Sequence, residues 1–168
     1  MIINLQNLEE IRKNNPHKKI VFASGTFDLT HAGHILFFED CKKFGDMLVI
    51  GVGGDSITKQ RKGGNRPILN ESIRLKTIDS LKPVDFSFID NISTHENKLA
   101  LIEAVFEKLK PDFYVINDDA FDIETRKKIC SKSGVEIKII GRWCPPEFQG
   151  ISTSNIIEKI RNLDDDEA

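Results

Sequence analysis

Two histidines three residues apart, His31 and His34, stand in the segment Gly25-Thr26-Phe27-Asp28-Leu29-Thr30-His31-Ala32-Gly33-His34. At the start of a helix that spacing puts both imidazoles on one face, where they can grip a single polyanion together. Gly33 between them carries no side chain to block the ligand, and Gly25 lets the backbone approach it closely. Thr26 adds a hydroxyl beside a turn of free N–H groups, and the helix N-terminus beyond supplies partial positive charge. These residue types suit the holding of a phosphate chain. One histidine in such a place is ordinarily a cap or a packing residue. Two histidines, a glycine and the preceding Gly-Thr-Phe-Asp behind an apolar run make the phosphate reading the stronger one.

Other residues fit the same chemistry. Lys59, Arg61 and Lys62 form a basic run flanked by Gly63-Gly64, which predicts a mobile loop able to close over bound phosphates. A charge run is ordinarily a solvated face, but this one follows directly on an apolar, strand-like segment. Arg74 either points into the site or pairs with Glu71, three residues before it. Ser152, Thr153 and Ser154 read as the cap of a last helix, leaving hydroxyl and N–H donors at its start. Asp28 either orients an acceptor or serves as a structural turn residue. Trp143, Pro145, Pro146 and Phe148 make either a base or acceptor pocket or a packed loop. No carboxylate cage for a metal stands out.

The elements that must position these groups follow from apolar periodicity. A continuous apolar run at 19–25 reads as a buried parallel strand, and 46–52, 84–89, 111–116 and 135–140 read as four further strands. Helical spacing appears at 4–14, 31–43, 72–81, 98–108, 122–133 and 154–161, the first a lead-in helix ahead of strand one. Strands alternating with helices predict a single α/β domain over 1–168, a doubly wound, Rossmann-like five-stranded parallel sheet flanked by helices. In such a sheet the ligand lies beyond the carboxyl ends of the strands where their order reverses, and residues 25–34 occupy that kind of turn.

Composition narrows the functions further. Lys and Arg total 24 against 26 Asp and Glu, a net charge of −2, so no basic field draws the chain onto nucleic acid or a membrane surface. No stretch approaches the roughly 20 apolar residues that span a bilayer. Three widely spaced cysteines, Cys41, Cys130 and Cys144, suggest free thiols in a reducing compartment, and the expected location is cytoplasmic. The acidic end, Asp164-Asp165-Asp166-Glu167, reads as a solvated terminus.

The segment 25–34 resembles the GxFDxxHxGH signature of the cytidylyltransferase-like nucleotidyltransferases, and Ile151-Ser152-Thr153-Ser154 resembles their second signature at the last helix. The resemblance extends from about residue 20 to 161 and takes in Asp55, Lys59, Lys62-Gly63, Arg66-Pro67 and Arg74. It implies in-line attack of an acceptor's phosphate oxygen on the α-phosphate of an NTP, with Mg²⁺ accompanying the triphosphate and a homodimer as the assembly. By the same resemblance His31, His34 and Lys59 or Lys62 carry the reaction. Gly25, Thr26, Phe27, Gly33, Arg74, Asn117, Asp119 and Ile151 to Ser154 bind the nucleotide and its phosphates, and Asp28 meets the acceptor.

Two subgroups compete for the substrate. Asn117-Asp118-Asp119 and Gly150-Ile-Ser-Thr-Ser154 resemble the choline-phosphate and glycerol-3-phosphate cytidylyltransferases. They imply transfer of CMP from CTP to a small phosphorylated alcohol or sugar-alcohol, the reading taken forward. The lead-in helix and Lys62-Gly63 with Arg66-Pro67-Ile68 look more like the adenylyltransferase that makes ADP-heptose, implying ATP and a sugar 1-phosphate. A non-catalytic nucleotide-binding module is a third alternative, which the presence of both histidines and both lysines disfavours. A class I tRNA synthetase fragment, with a similar histidine motif, is disfavoured by the lack of a basic RNA-binding surface.

Overall fold

A computed structural model describes residues 1–163 of the chain. The acidic run 164–167 lies outside the described residues. The apolar runs become β1 (Ile20–Gly25), β2 (Met47–Gly53), β3 (Phe86–Asp90), β4 (Phe113–Asn117) and β5 (Glu136–Ile140), all parallel in the order β3-β2-β1-β4-β5. β1 and β2 are buried along nearly their whole length because helices cover both faces, so they read as unbroken apolar runs without polar alternation. The chain walks outward from β1 to β3 and returns to the other side of β1 with β4. Strand order therefore reverses between β1 and β4 and opens a crevice at their carboxyl ends.

Among the described residues seven α-helices accompany the sheet: α1 (Leu8–Asn14), α2 (Ala32–Lys42), α3 (Asp55–Lys62), α4 (Glu71–Asp79), α5 (Ala100–Lys108), α6 (Ile123–Ser133) and α7 (Thr153–Leu163). The lead-in segment begins with a 3-10 turn, Leu5–Asn7, before α1. Successive strand residues face opposite sides, so the sheet has two cores. Phe22, Val49, Phe88 and Tyr114 pack with Leu8 and Ile11 of α1, Leu101 and Val105 of α5 and Cys130 of α6. Val21, Leu48, Ile50 and Val115 pack on the other side with Phe38 and Cys41 of α2 and Ile78 of α4. The crevice thus has an α2 flank and an α5/α6 flank.

The basic run corrects the expectation of a mobile loop. Lys59, Arg61 and Lys62 sit in the last turn of α3, with Asp55 in its first turn and Ile57 and Thr58 buried beneath it. The acidic start and basic end complement the helix dipole, and the two buried side chains fix the helix to the body. Gly63 ends it at φ 95°. Among the described residues no helix is long and apolar enough to cross a membrane.

Candidate active site

The turn between β1 and α2 is strained and heavily anchored. Phe27 and Leu29 hold positive φ angles of 51° and 47°, which side chains other than glycine rarely adopt. Four sets of bonds hold the turn in this conformation. Arg74 donates to the carbonyls of Thr26 (2.6 Å) and Gly53 (2.7 Å). The Asp28 carboxylate accepts from Arg66 Nε and from the Ile68 and Leu69 N–H groups at 2.8–3.0 Å. The Thr153 hydroxyl donates to the Asp28 carbonyl (2.9 Å), and the Thr30 hydroxyl to that of Phe27 (3.2 Å). Gly25 lies where a Cβ would come within 2.8 Å of the Phe27 ring, so only glycine leaves that ring its place under the turn.

This turn delivers His31 to the cap of α2 and His34 to its first turn. The two rings stack with centroids 4.0 Å apart, and His34 packs edge-on to Phe27 at 5.5 Å. His34 Nδ1 accepts from the His31 N–H at 3.4 Å, which points its other nitrogen away from the helix. Burial, then the charges of His31, Lys62 and Arg142, push the His34 pKa down to about 3. Burial, then Arg142, holds His31 below the usual imidazole range. Both rings are therefore neutral at pH 7, and an approaching polyanion favours their protonation. A Cβ on Gly33 would sit 3.1 Å from the His31 ring, and Ile151 packs just beyond it. The starts of α2 and α7 thus meet at one place.

The expected site residues divide into those that line the crevice and those that support it. Gly25, Thr26, Phe27, His31, Gly33, His34, Lys62, Asn117, Asp119 and Ile151 line a cavity of about 400 Å³. Arg142, Trp143 and Cys144 line it too, with Arg142 paired to Asp119 at 2.7 Å. Desolvation at the rim, then the charges of Arg66 and Arg61, lower the pKa of Lys62. Lys59 is exposed and does not line the cavity. Arg74, expected at the nucleotide, is completely buried behind it. Its donors all end on the carbonyls of Leu69, Thr26 and Gly53 and on Asp55, while Glu71 accepts from the Asp55 N–H instead of from Arg74. Asp28, expected at the acceptor, is buried in its bonds to Arg66, Ile68 and Leu69. Burial would raise its pKa, but the Leu69 and Ile68 N–H groups and Arg66 outweigh burial and hold it below the usual carboxylate range. Ser152, Thr153 and Ser154 stand at the start of α7, outside the cavity lining. The Ser152 Oγ caps that helix by accepting from the Asn155 N–H at 3.1 Å.

A buried strand leading into paired imidazoles at a helix start is matched by a model of known proteins over residues 22–159, described as cytidylyltransferase-like. The chain belongs to this family. It is 38% identical over 162 residues to the bifunctional protein HldE of Campylobacter fetus subsp. fetus (strain 82-40), covering 95% of this chain and 31% of that protein. The chain thus spans about a third of the length of these HldE relatives. A FAD synthase of Aciduliprofundum boonei (strain DSM 19572 / T469) is 34% identical over 149 residues, 87% of this chain and 93% of that one. Among solved structures, a lipopolysaccharide core biosynthesis protein from Thermoplasma volcanium GSS1 matches with TM-score 0.57 and 36% identity, over 74% of this chain and 95% of that one.

The cytidylyltransferase-like cleft also contains groups that the sequence reading did not single out. Thr58 on α3, Asp90 at the end of β3, Ser93, Lys98, Phe121 and Arg126 all line the cavity. Thr58 and Arg61 were visible as an i, i+3 pair, but only once α3 is known to be a helix. Arg126 carried no signal, because an arginine within a lysine-rich helix looks like surface charge.

Proposed function

We propose that the chain is an adenylyltransferase that transfers AMP from ATP to a sugar 1-phosphate and releases pyrophosphate. The observation that carries the choice of ATP is the likeness to a FAD synthase over 87% of this chain and 93% of that one, since the second half of FAD is AMP. The resemblance of Lys62-Gly63 and Arg66-Pro67 to the ADP-heptose enzyme agrees with it, and the lipopolysaccharide core protein favours a sugar acceptor over a flavin.

The residues supply positioning and charge. The acceptor's phosphate oxygen forms a bond to the α-phosphorus while the bond from that phosphorus to the β-bridging oxygen breaks, and pyrophosphate leaves with the electron pair. His31 and His34 donate hydrogen bonds to the phosphate chain, and charge accumulating on the leaving group favours their protonation. Lys62 neutralises the α-phosphate, and the leading N–H groups of α2 hold the terminal phosphates. Trp143, 69% exposed at the cleft edge, offers a face for the base. Among the described residues no three carboxylates, imidazoles or thiols converge to hold a metal. Mg²⁺ would accompany the triphosphate and neutralise the charge on its oxygens.

CTP is a second reading, favoured by Gly150-Ile151-Ser152-Thr153-Ser154. Pyrophosphate release with Mg²⁺ and either ATP or CTP, offered heptose 1-phosphate, glycerol 3-phosphate or FMN, separates the two. The expected result is release with ATP and heptose 1-phosphate. Release with CTP and glycerol 3-phosphate would overturn the proposal in favour of the cytidylyltransferase, and release with FMN would replace the sugar by a flavin.

A further inference from the structure

The α5/α6 flank of the cleft contains a charged group that the handling of a triphosphate does not use. Arg61 and Arg126 approach the same Phe121 ring, their guanidinium carbons 4.7 and 5.2 Å from its centroid. Arg126 is buried and held in place from behind, donating to the Phe121 carbonyl at 2.7 Å and to the Tyr114 hydroxyl. Among the described residues no carboxylate lies within ion-pair distance of either guanidinium. Burial, then the charge of Arg126, lowers the pKa of Arg61, while Tyr114 and the Asp90 carboxylate act in the opposite direction.

Beside them Thr58 is 1% exposed, and its Oγ1 has no hydrogen-bond partner although it lines the cavity. A buried hydroxyl without a partner is unfavourable, so such a group in a cavity wall points to a ligand. Thr58 and Arg61 are three apart on α3 and share a face. Asp90, which also lines the cavity, accepts from the Ile92 and Ser93 N–H groups through Oδ1, leaving Oδ2 to accept from something else.

We propose that this flank is the acceptor site, with Arg61 and Arg126 holding the acceptor's phosphate and Thr58 and Asp90 hydrogen-bonding hydroxyls of a polyhydroxylated carbon skeleton. The inference rests on the adenylyl-transfer reading, which puts the triphosphate on the α2 flank. Lys62 follows Arg61 directly and feels its charge, so the two phosphate sites adjoin. The two permanent charges also keep the incoming phosphate as its dianion, the form whose oxygen attacks.

The test uses inorganic phosphate as the probe, titrated calorimetrically into protein saturated with Mg²⁺ and α,β-methylene-ATP so that the triphosphate site is already filled. Arg61→Gln is expected to weaken phosphate binding roughly tenfold to a hundredfold and to leave the affinity for the ATP analogue unchanged. Thr58→Val is expected to keep a melting temperature at or above that of the parent, since it removes an unpaired buried hydroxyl. It should nevertheless raise the KM for heptose 1-phosphate with the KM for ATP constant. Phosphate binding that ignores Arg61→Gln, or an Arg61→Gln protein that loses the analogue instead, overturns the proposal. The two failures are separable. A wrong nucleotide abolishes analogue binding in the parent protein without removing the dependence of phosphate on Arg61, whereas a wrong acceptor site leaves analogue binding and removes that dependence.

Discussion

The two flanks of this cleft concentrate positive charge by opposite means. On the α2 flank His31 and His34 are neutral at pH 7, held below the usual imidazole range first by burial and then by neighbouring cations. On the α5/α6 flank Arg61 and Arg126 carry charge at every working pH, supported by the Phe121 ring and, for Arg126, by Tyr114. A titrating pair gains charge as a reaction generates it, whereas a fixed pair retains an anion that is charged from the start. The first suits a leaving pyrophosphate and the second suits a phosphate that must arrive ionised.

The largest effect expected from breaking this arrangement comes from Asp28→Ala. It strips two backbone N–H groups and Arg66 of their buried acceptor and should cost about 3–5 kcal/mol, a fall of roughly ten degrees in Tm. The loss should be greatest at neutral pH. The lowered pKa of Asp28 contributes stability above the ordinary carboxylate range, and that stability disappears as pH falls through the folded value. A variant melting with the parent would mean that the strained turn is held by other bonds.

His31→Ala comes next. Turnover should drop by about a hundredfold to a thousandfold while the melting temperature stays near that of the parent, because the ring's Nδ1 has no protein partner to lose. A fully active His31→Ala enzyme would remove the α2 flank from the chemistry. The pH dependence of stability sharpens the contrast further. The pKa of His34 is lowered to about 3, so the unfolded chain binds the proton first. Stability is then complete above the ordinary histidine pKa of about 6.5 and falls by up to about 1.4 kcal/mol per pH unit below it, until the folded value of about 3 is reached. His34→Asn should flatten that slope in acid denaturation, and Arg61→Gln should leave it as it is.

The smallest effects separate two neighbours on α3. Lys62→Ala, at the cavity rim, should lower kcat/KM about tenfold, while exposed Lys59→Ala should change it no more than about twofold. Equal losses would mean that α3 moves to bring both lysines to the phosphates.

The difference between the flanks also decides what the sequence makes legible. The sheet could be read because parallel strands buried on both faces appear as unbroken apolar runs, as in Lys19 to Gly25. The α2 flank could be read because Gly25, Thr26, His31, Gly33 and His34 are contiguous and each has a local reason to be there. Thr58, Arg61, Asp90 and Arg126 come from three helices and strands, and none is informative alone. α3 was hidden because only Ile57 and Thr58 are buried on it, too few positions to establish a helical period. Arg74 misled because a sequence shows its charge but not the three carbonyls and the Asp55 carboxylate that occupy its donors.

The most direct test of a two-flank cleft is a crystal structure with Mg²⁺ and α,β-methylene-ATP. The account predicts the α-phosphate between His31, His34 and Lys62, the adenine toward Trp143, and the space around Arg61, Arg126 and Thr58 left clear of nucleotide. A triphosphate lying across Arg61 and Arg126, away from the two histidines, would contradict it.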